Sequence, residues 1–106
     1  MRLGKYHGLG NDFLVALGAL NPGIGIDPDV ARALCDRHRG IGADGLIYGL
    51  DPTDRGNDAR MVLLNADGSR AEISGNGIRC LAQALLAHAP GGSDADASAQ
   101  VVRIET

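Results

Sequence analysis

The sequence predicts an α+β fold in which a curled, mostly antiparallel sheet wraps around one buried helix. Three observations carry that expectation. Strand-like and helix-like segments follow one another in mixed order along the 106 residues. The dipeptide Asp67-Gly68 stands between the apolar run Met61 to Leu64 and the segment Ser69 to Ile73. That is a hairpin signal, because both central residues of a type I′ turn need positive φ. Ile78 to Ala89 is apolar on nearly every side, broken mainly by Arg79, Gln83 and His88, so it reads as a helix enclosed by other elements.

In chain order, Arg2 to His7 and Phe13 to Leu20 read as the first two strands. Gly8-Leu9-Gly10-Asn11-Asp12 joins them, its two glycines freeing the backbone for a sharp bend. The first helix starts with Asp27 as N-cap and Pro28 in the first helical position, where a missing N–H costs nothing. It carries Val30, Ala33 and Leu34 on one face and stops at Gly40. Leu46 to Leu50 and Ala59 to Leu64 are strands separated by the polar loop Asp51 to Asp58. The hairpin then returns the chain along Ser69 to Ile73, and the apolar helix begins near Gly77. Pro90-Gly91-Gly92 ends it, and Ser93 to Ala99 is small and polar enough for a mobile loop. Gln100 to Glu105, with β-branched Val101 and Val102, is a last strand.

Composition excludes several classes of function. The length is one domain's worth, with a modest core. A net charge of −3, with both signs dispersed, gives no electrostatic footprint for nucleic acid or for an anionic membrane. No tryptophan and few aromatics leave little for base stacking. No apolar run approaches a membrane span, and Lys5, His7, Asn11 and Asp12 interrupt the start where a signal peptide would be apolar. Cys35 and Cys80 stand at unrelated spacing, which suggests neither a disulfide framework nor a CxxC site and fits a reducing cytoplasm. Arg32, Arg37 and Arg39 form the densest positive patch and read as a solvated helix end. His7, His38 and His88 lie far apart with no cysteine or carboxylate at ligand spacing, so no metal site is expected. Gly40 to Gly45 fits GxGxxG by letter, but the dinucleotide fingerprint follows a strand and opens a helix. Here the order is reversed, and no cofactor is expected.

The segment Asn65 to Arg79 holds the candidate chemistry. Two glycine-containing turns, Asn65-Ala66-Asp67-Gly68 and Ser74-Gly75-Asn76-Gly77, bracket a short strand and lead into the apolar helix. Taken singly, each turn has a structural explanation: a hairpin for the first, an N-cap on Ser74 or Asn76 for the second. Together they deliver Asn65, Gly75 and Asn76 to one place beside a helix N-terminus. Unpaired N–H donors, the positive end of the macrodipole and absent Cβ atoms suit such a place to a carboxylate.

This segment resembles the signature of the diaminopimelate epimerase family, Asn-x-Asp-Gly-Ser, four residues, then Cys-Gly-Asn-Gly-x-Arg. Asn65, Asp67, Gly68, Ser69, Gly75, Asn76, Gly77 and Arg79 match it. Lys5 to Phe13 and Arg37 to Gly45 agree with two further family segments in order and spacing, so the resemblance spans nearly the whole chain. It implies a half-barrel domain corresponding to the amino-terminal half of a two-half enzyme, with the second half absent and a sheet edge left open. It also implies a cofactor-independent epimerase of lysine and cell-wall precursor biosynthesis, in which two cysteines act on opposite faces of the substrate's α-carbon. On the matching positions Asn11, Asn65, Gly75 and Asn76 would hold an amino-acid substrate, and Asp67, Ser69 and Arg79 would support the turns. The motif residues His7, Asp12 and Asp44 receive no role.

Where the family has its first catalytic cysteine, this sequence has Ser74. A thiol of reference pKa about 8.5 can be driven to thiolate at a helix terminus, whereas a hydroxyl needs a strong base beside it. Cys80 is six residues on, more than a helical turn away, and reads as a buried core thiol; Cys35 sits on the first helix. Three readings follow: an amino-terminal half of an epimerase, inactive alone; a non-catalytic amino-acid-binding module; or a related isomerase or lyase acting on another amino acid. A half-completed barrel is also expected to self-associate as a homo-oligomer or to bind a separately encoded second half.

Overall fold

The computed structural model describes residues 1–72, 74–88 and 103–106. Its elements are β1 (Gly4–His7), β2 (Asp12–Leu17), α1 (Pro28–Cys35), β3 (Gly45–Leu50), β4 (Ala59–Asn65), α2 (Gly75–Ala87) and β5 (Ile104–Glu105). The α+β class holds, and the strands form one open sheet in the order β1-β2-β3-β4-β5. β1–β2 and β3–β4 pair antiparallel, while β2–β3 and β4–β5 pair parallel. A parallel neighbour needs a crossover, and α1 supplies it between β2 and β3.

Alternate residues of the sheet feed two cores. Phe13, Val15, Leu17, Ile47, Met61 and Leu63 pack against Cys80, Leu81 and Ala84 of α2. Leu14, Ala16, Leu46, Tyr48, Val62 and Leu64 pack against Ala31 and Cys35 of α1 on the other face. Coverage on both faces is why β2 and β3 are apolar almost throughout instead of alternating. The expectation of a sheet wrapped around a single helix therefore gains a second helical layer. On α2 only Gly77, Cys80, Leu81 and Ala84 are buried; Ile78, Ala82, Leu85 and Leu86 are half-buried, because the open sheet lies against one side only. Close contact at the centre of this layer depends on Gly49, where a Cβ would come within 2.7 Å of Leu81 and 2.9 Å of Leu17.

Three boundaries differ from the sequence reading. α1 stops at Cys35 rather than at Gly40, because the Asp36 carboxylate accepts from the N–H groups of His38 (2.8 Å) and Arg39 (3.1 Å) and turns the chain locally. The Asp67-Gly68 turn is not type I′, since Gly68 has φ 87° and among the described residues, Asp67 included, no non-glycine residue has positive φ. Gly68 N–H donates to Asn65 O (2.9 Å) and Asn65 N–H to Ser69 O (2.8 Å), closing a three-residue connection whose last position is left-handed. The return strand is reduced to a bridge between Leu64 and Arg70 and the bond from Ala71 N–H to Leu63 O (2.9 Å); Ile73 lies outside the described residues. Ile104–Glu105 is the described part of the last strand, whereas residues 89–102, with the expected loop and strand start, lie outside.

Register places the motif loops together. His7 pairs with Asp12, Phe13 with Gly45, and Gly45 with Asn65, so one end of the sheet carries the β1–β2 turn, the approach to β3 and the exit from β4. At the opposite end the loop between β3 and β4 is tied to β5. The Glu105 carboxylate accepts from Thr53 Oγ1 (2.6 Å), Thr53 N–H (3.1 Å) and Asp54 N–H (2.9 Å).

Candidate functional site

Ser74 is the N-cap of α2, in extended backbone with φ −120° and ψ 129°, and its hydroxyl accepts from Gly77 N–H at 3.2 Å. The helix thus begins at Gly75, two residues before the expected start, because the hydroxyl satisfies a first-turn donor. Gly75 and Asn76 follow in that turn, and among the described residues no acceptor meets their N–H groups. Gly75 has no positive φ, and a Cβ built on it would meet nothing within 4 Å.

Asn11, Asn65 and Ser74 line one cavity of about 390 Å³, together with Phe13, Leu63, Asp44, Arg70, Ala71 and Glu72. Asn76 serves differently from expectation. Its side-chain amide donates to Leu9 O and to Asn11 Oδ1, both at 3.2 Å, so it braces Asn11. Gly8 permits this approach, since a Cβ there would stand 2.8 Å from that of Asn76. Asn65 is held by donation to Ser69 Oγ (3.0 Å), and Ser69 donates to Asp67 Oδ1 by hydroxyl (2.6 Å) and N–H (2.9 Å). Those bonds hold the Asp67 carboxyl below the usual carboxylate range. Asp67 and Ser69 support the turn, as the sequence reading had it.

Arg37 departs from its reading as part of a solvated helix end. It grips Asp12 with two bonds, 2.8 and 3.3 Å, and Asp44 with one of 3.2 Å, while Lys5 reaches Asp12 at 3.5 Å. The Arg37 guanidinium holds the Asp12 carboxyl far below its ordinary value. Sequence reasoning missed this cluster, and it also missed Arg70 and Glu72 at the cavity wall. The signal for the cluster was present, since Asp12, Arg37 and Asp44 all stand in the family segments; Arg70 and Glu72 needed the fold.

Both cysteines are buried, and neither lines the cavity. Burial pushes the thiols of Cys35 and Cys80 up, against the thiolate. No hydrogen bond joins Ser74 to a basic group among the described residues, although the Glu72 and Asp44 carboxyls share its cavity. Among the described residues no group of three or more His, Cys, Asp or Glu is placed to hold a metal ion, and no helix is long and apolar enough to cross a membrane.

Fold and pocket define a class: an open α+β sheet bearing, at one end beside the N-terminus of α2, a cavity lined by the amides of Asn11 and Asn65, the Ser74 hydroxyl, Arg70 and the carboxyls of Asp44 and Glu72. The family follows from comparison with known proteins. The model of the family described as diaminopimelate epimerase matches residues 3–102, and this chain belongs to that family. It is 53% identical over 81 residues to a diaminopimelate epimerase of Synechocystis sp., covering 76% of this chain and 29% of that protein. It is 52% identical over 81 residues to diaminopimelate epimerase 1 of Nostoc sp., with the same coverage. Over 93 residues it is 52% identical to the enzyme of Prochlorococcus marinus, covering 80% of this chain and 29% of that protein. The matched region thus spans about 29% of the length of these relatives.

Proposed function

We propose that this chain is the amino-terminal portion of a diaminopimelate epimerase, that it binds the amino-acid end of diaminopimelate, and that it does not invert that centre alone. The observation that carries the reading is the convergence of Asn11, Asn65 and Ser74 on one cavity at the start of α2, with the uncrowded Gly75 beside them. Inversion removes the α-proton on one face and returns a proton on the other, through a carbanion. The first task of the site is to hold carboxylate and ammonium rigidly and to aim donors at the developing charge. Asn11 and Asn65 do the holding, and the N–H groups of Gly75 and Asn76 receive the carboxylate. No cofactor enters this scheme.

Ser74 stands where the family has a proton-transferring thiol. Its hydroxyl caps Gly77 N–H, and a hydroxyl without a strong base does not take an α-proton. That observation favours a second reading, a binding module that keeps the pocket without the reaction; a related isomerase or lyase is the third. A homo-oligomer, or a separately encoded second half, would complete the site, and the cytoplasm is the compartment that fits free thiols.

The deciding measurement is exchange of the α-hydrogen of LL- and meso-diaminopimelate with deuterated water, followed by NMR. The purified chain is expected to show none, and Ser74→Cys at most slow exchange on one face without inversion. Turnover by the parent chain overturns the proposal. Binding without exchange, even when a second half is supplied, favours the module.

A further inference from the structure

Asp12, Arg37 and Asp44 are motif residues for which the ligand-holding scheme has no use. We infer that Asp44, clamped by Arg37, is a positioning residue that fixes which way the Asn11 amide faces, and with it the polarity of the pocket; the link to a ligand rests on the proposed function above. Asp44 joins three loops. Its Oδ2 accepts from Asp12 N–H (2.9 Å) and faces the Asn11 amide nitrogen at 3.5 Å. Its N–H donates to Asp12 O (2.9 Å), and its carbonyl accepts from Ala66 N–H (3.2 Å), beside Asn65. Arg37 holds the other carboxylate oxygen at 3.2 Å and takes Asp12 in a two-pronged grip, so the carboxylate cannot swing away.

The orientation of Asn11 follows from donor and acceptor bookkeeping. Asn76 presents an N–H to one side of the Asn11 amide, and Asp44 presents a carboxylate oxygen to the other. Only one of the two flip states satisfies both: oxygen toward Asn76, nitrogen toward Asp44. The reversed state sets oxygen against carboxylate and N–H against N–H. Asn76 Nδ2 also donates to Leu9 O, so it cannot reverse its own amide without placing its oxygen against that carbonyl. Leu9 O thereby sets the direction of the Asn76 amide and Asp44, from the other side, that of Asn11, and the second N–H of Asn11 remains for a ligand oxygen.

The experiment uses the nitrogen-labelled chain. In ligand-free Asp44→Ala the side-chain amide signals of Asn11 and Asn76 are expected to move and to lose dispersion, while those of Asn57 in the far loop stay and thermal unfolding remains cooperative. Asp44→Asn, which keeps an acceptor oxygen, should restore part of the parental pattern. Parental Asn11 and Asn76 signals in folded Asp44→Ala overturn the inference. Should that variant not fold, Arg37→Gln gives the same reading by releasing the carboxylate, and unmoved Asn11 signals there overturn it equally. Titration with meso-diaminopimelate separates this from the functional reading. Weakening by about tenfold in Asp44→Ala, with no further loss on adding Asn11→Ala, supports both. Equal affinity in parent and Asp44→Ala overturns the positioning role. A parent chain that binds nothing while the ligand-free signals still move sinks the functional reading and keeps the role of Asp44.

Discussion

At Gly75 neither backbone strain nor packing calls for glycine: φ is not positive, and no atom within 4 Å would oppose a Cβ. Glycine in a helix is otherwise a cost, roughly 0.5–1 kcal/mol against alanine in the interior and less at the first position. Under the proposed function its benefit is space for a ligand. Gly75→Ala is therefore expected to leave thermal stability unchanged or to raise it by a few tenths of a kcal/mol, on the order of half the interior value. Gly75→Val should weaken binding of diaminopimelate or a carboxylate analogue. Unchanged affinity for Gly75→Val in an amide-shift titration would remove Gly75 from the proposed ligand-holding scheme. The same residue scale shows what sequence can tell. The identity of the turn residues led partway to the cavity, since Asn11, Asn65 and Ser74 line it whereas Gly75 and Asn76 do not. The direction of Asn76 was not legible, because it depends on Gly8 lying against it, 68 positions away in the chain.

Between elements, the contact of the β1–β2 turn with the end of α1 is electrostatic. Arg37 follows α1 and Asp12 opens β2, and the Asp12 carboxyl is depressed chiefly by its bonds to Arg37. A carboxyl whose folded pKa lies below the unfolded value contributes stability that is complete above about pH 4 and is lost as pH falls through the folded value. Stability of the chain should accordingly decline on acidification from about pH 4 downward, and Asp12→Asn should flatten that decline at the expense of stability near neutrality. Chemical denaturation across pH is the check; parallel profiles for parent and variant would show that the pair contributes nothing. The sequence disclosed strands β2, β3 and β4 through their apolar runs, and the start of α1 through Asp27-Pro28. It could not show which face of the sheet α1 covers. Apolar residues on both faces of β2 look the same whether the second cover is a helix or a neighbouring strand. The return after Asp67-Gly68 shrank for a related reason: pairing depends on what else reaches β4, which local preference does not encode.

At the scale of the molecule, β1 forms one edge of the sheet, and the outer side of α2 leaves Ile78, Leu85 and Leu86 half-buried. Edges and apolar strips of this kind associate. Sedimentation velocity is expected to show self-association that rises with concentration, or a one-to-one complex with a supplied carboxy-terminal half; a compact, concentration-independent monomer would speak against it. Register fixes a further property of the whole. Every motif loop departs from one rim of the sheet, while the opposite rim is stitched by Glu105 to Thr53 and Asp54. The molecule is in this sense a handle and a tool. A dye, an affinity tag or a surface tether attached to the exposed Arg55-Gly56 tip would ride on the handle, reporting on or immobilising the protein while the pocket rim stays open to whatever docks there.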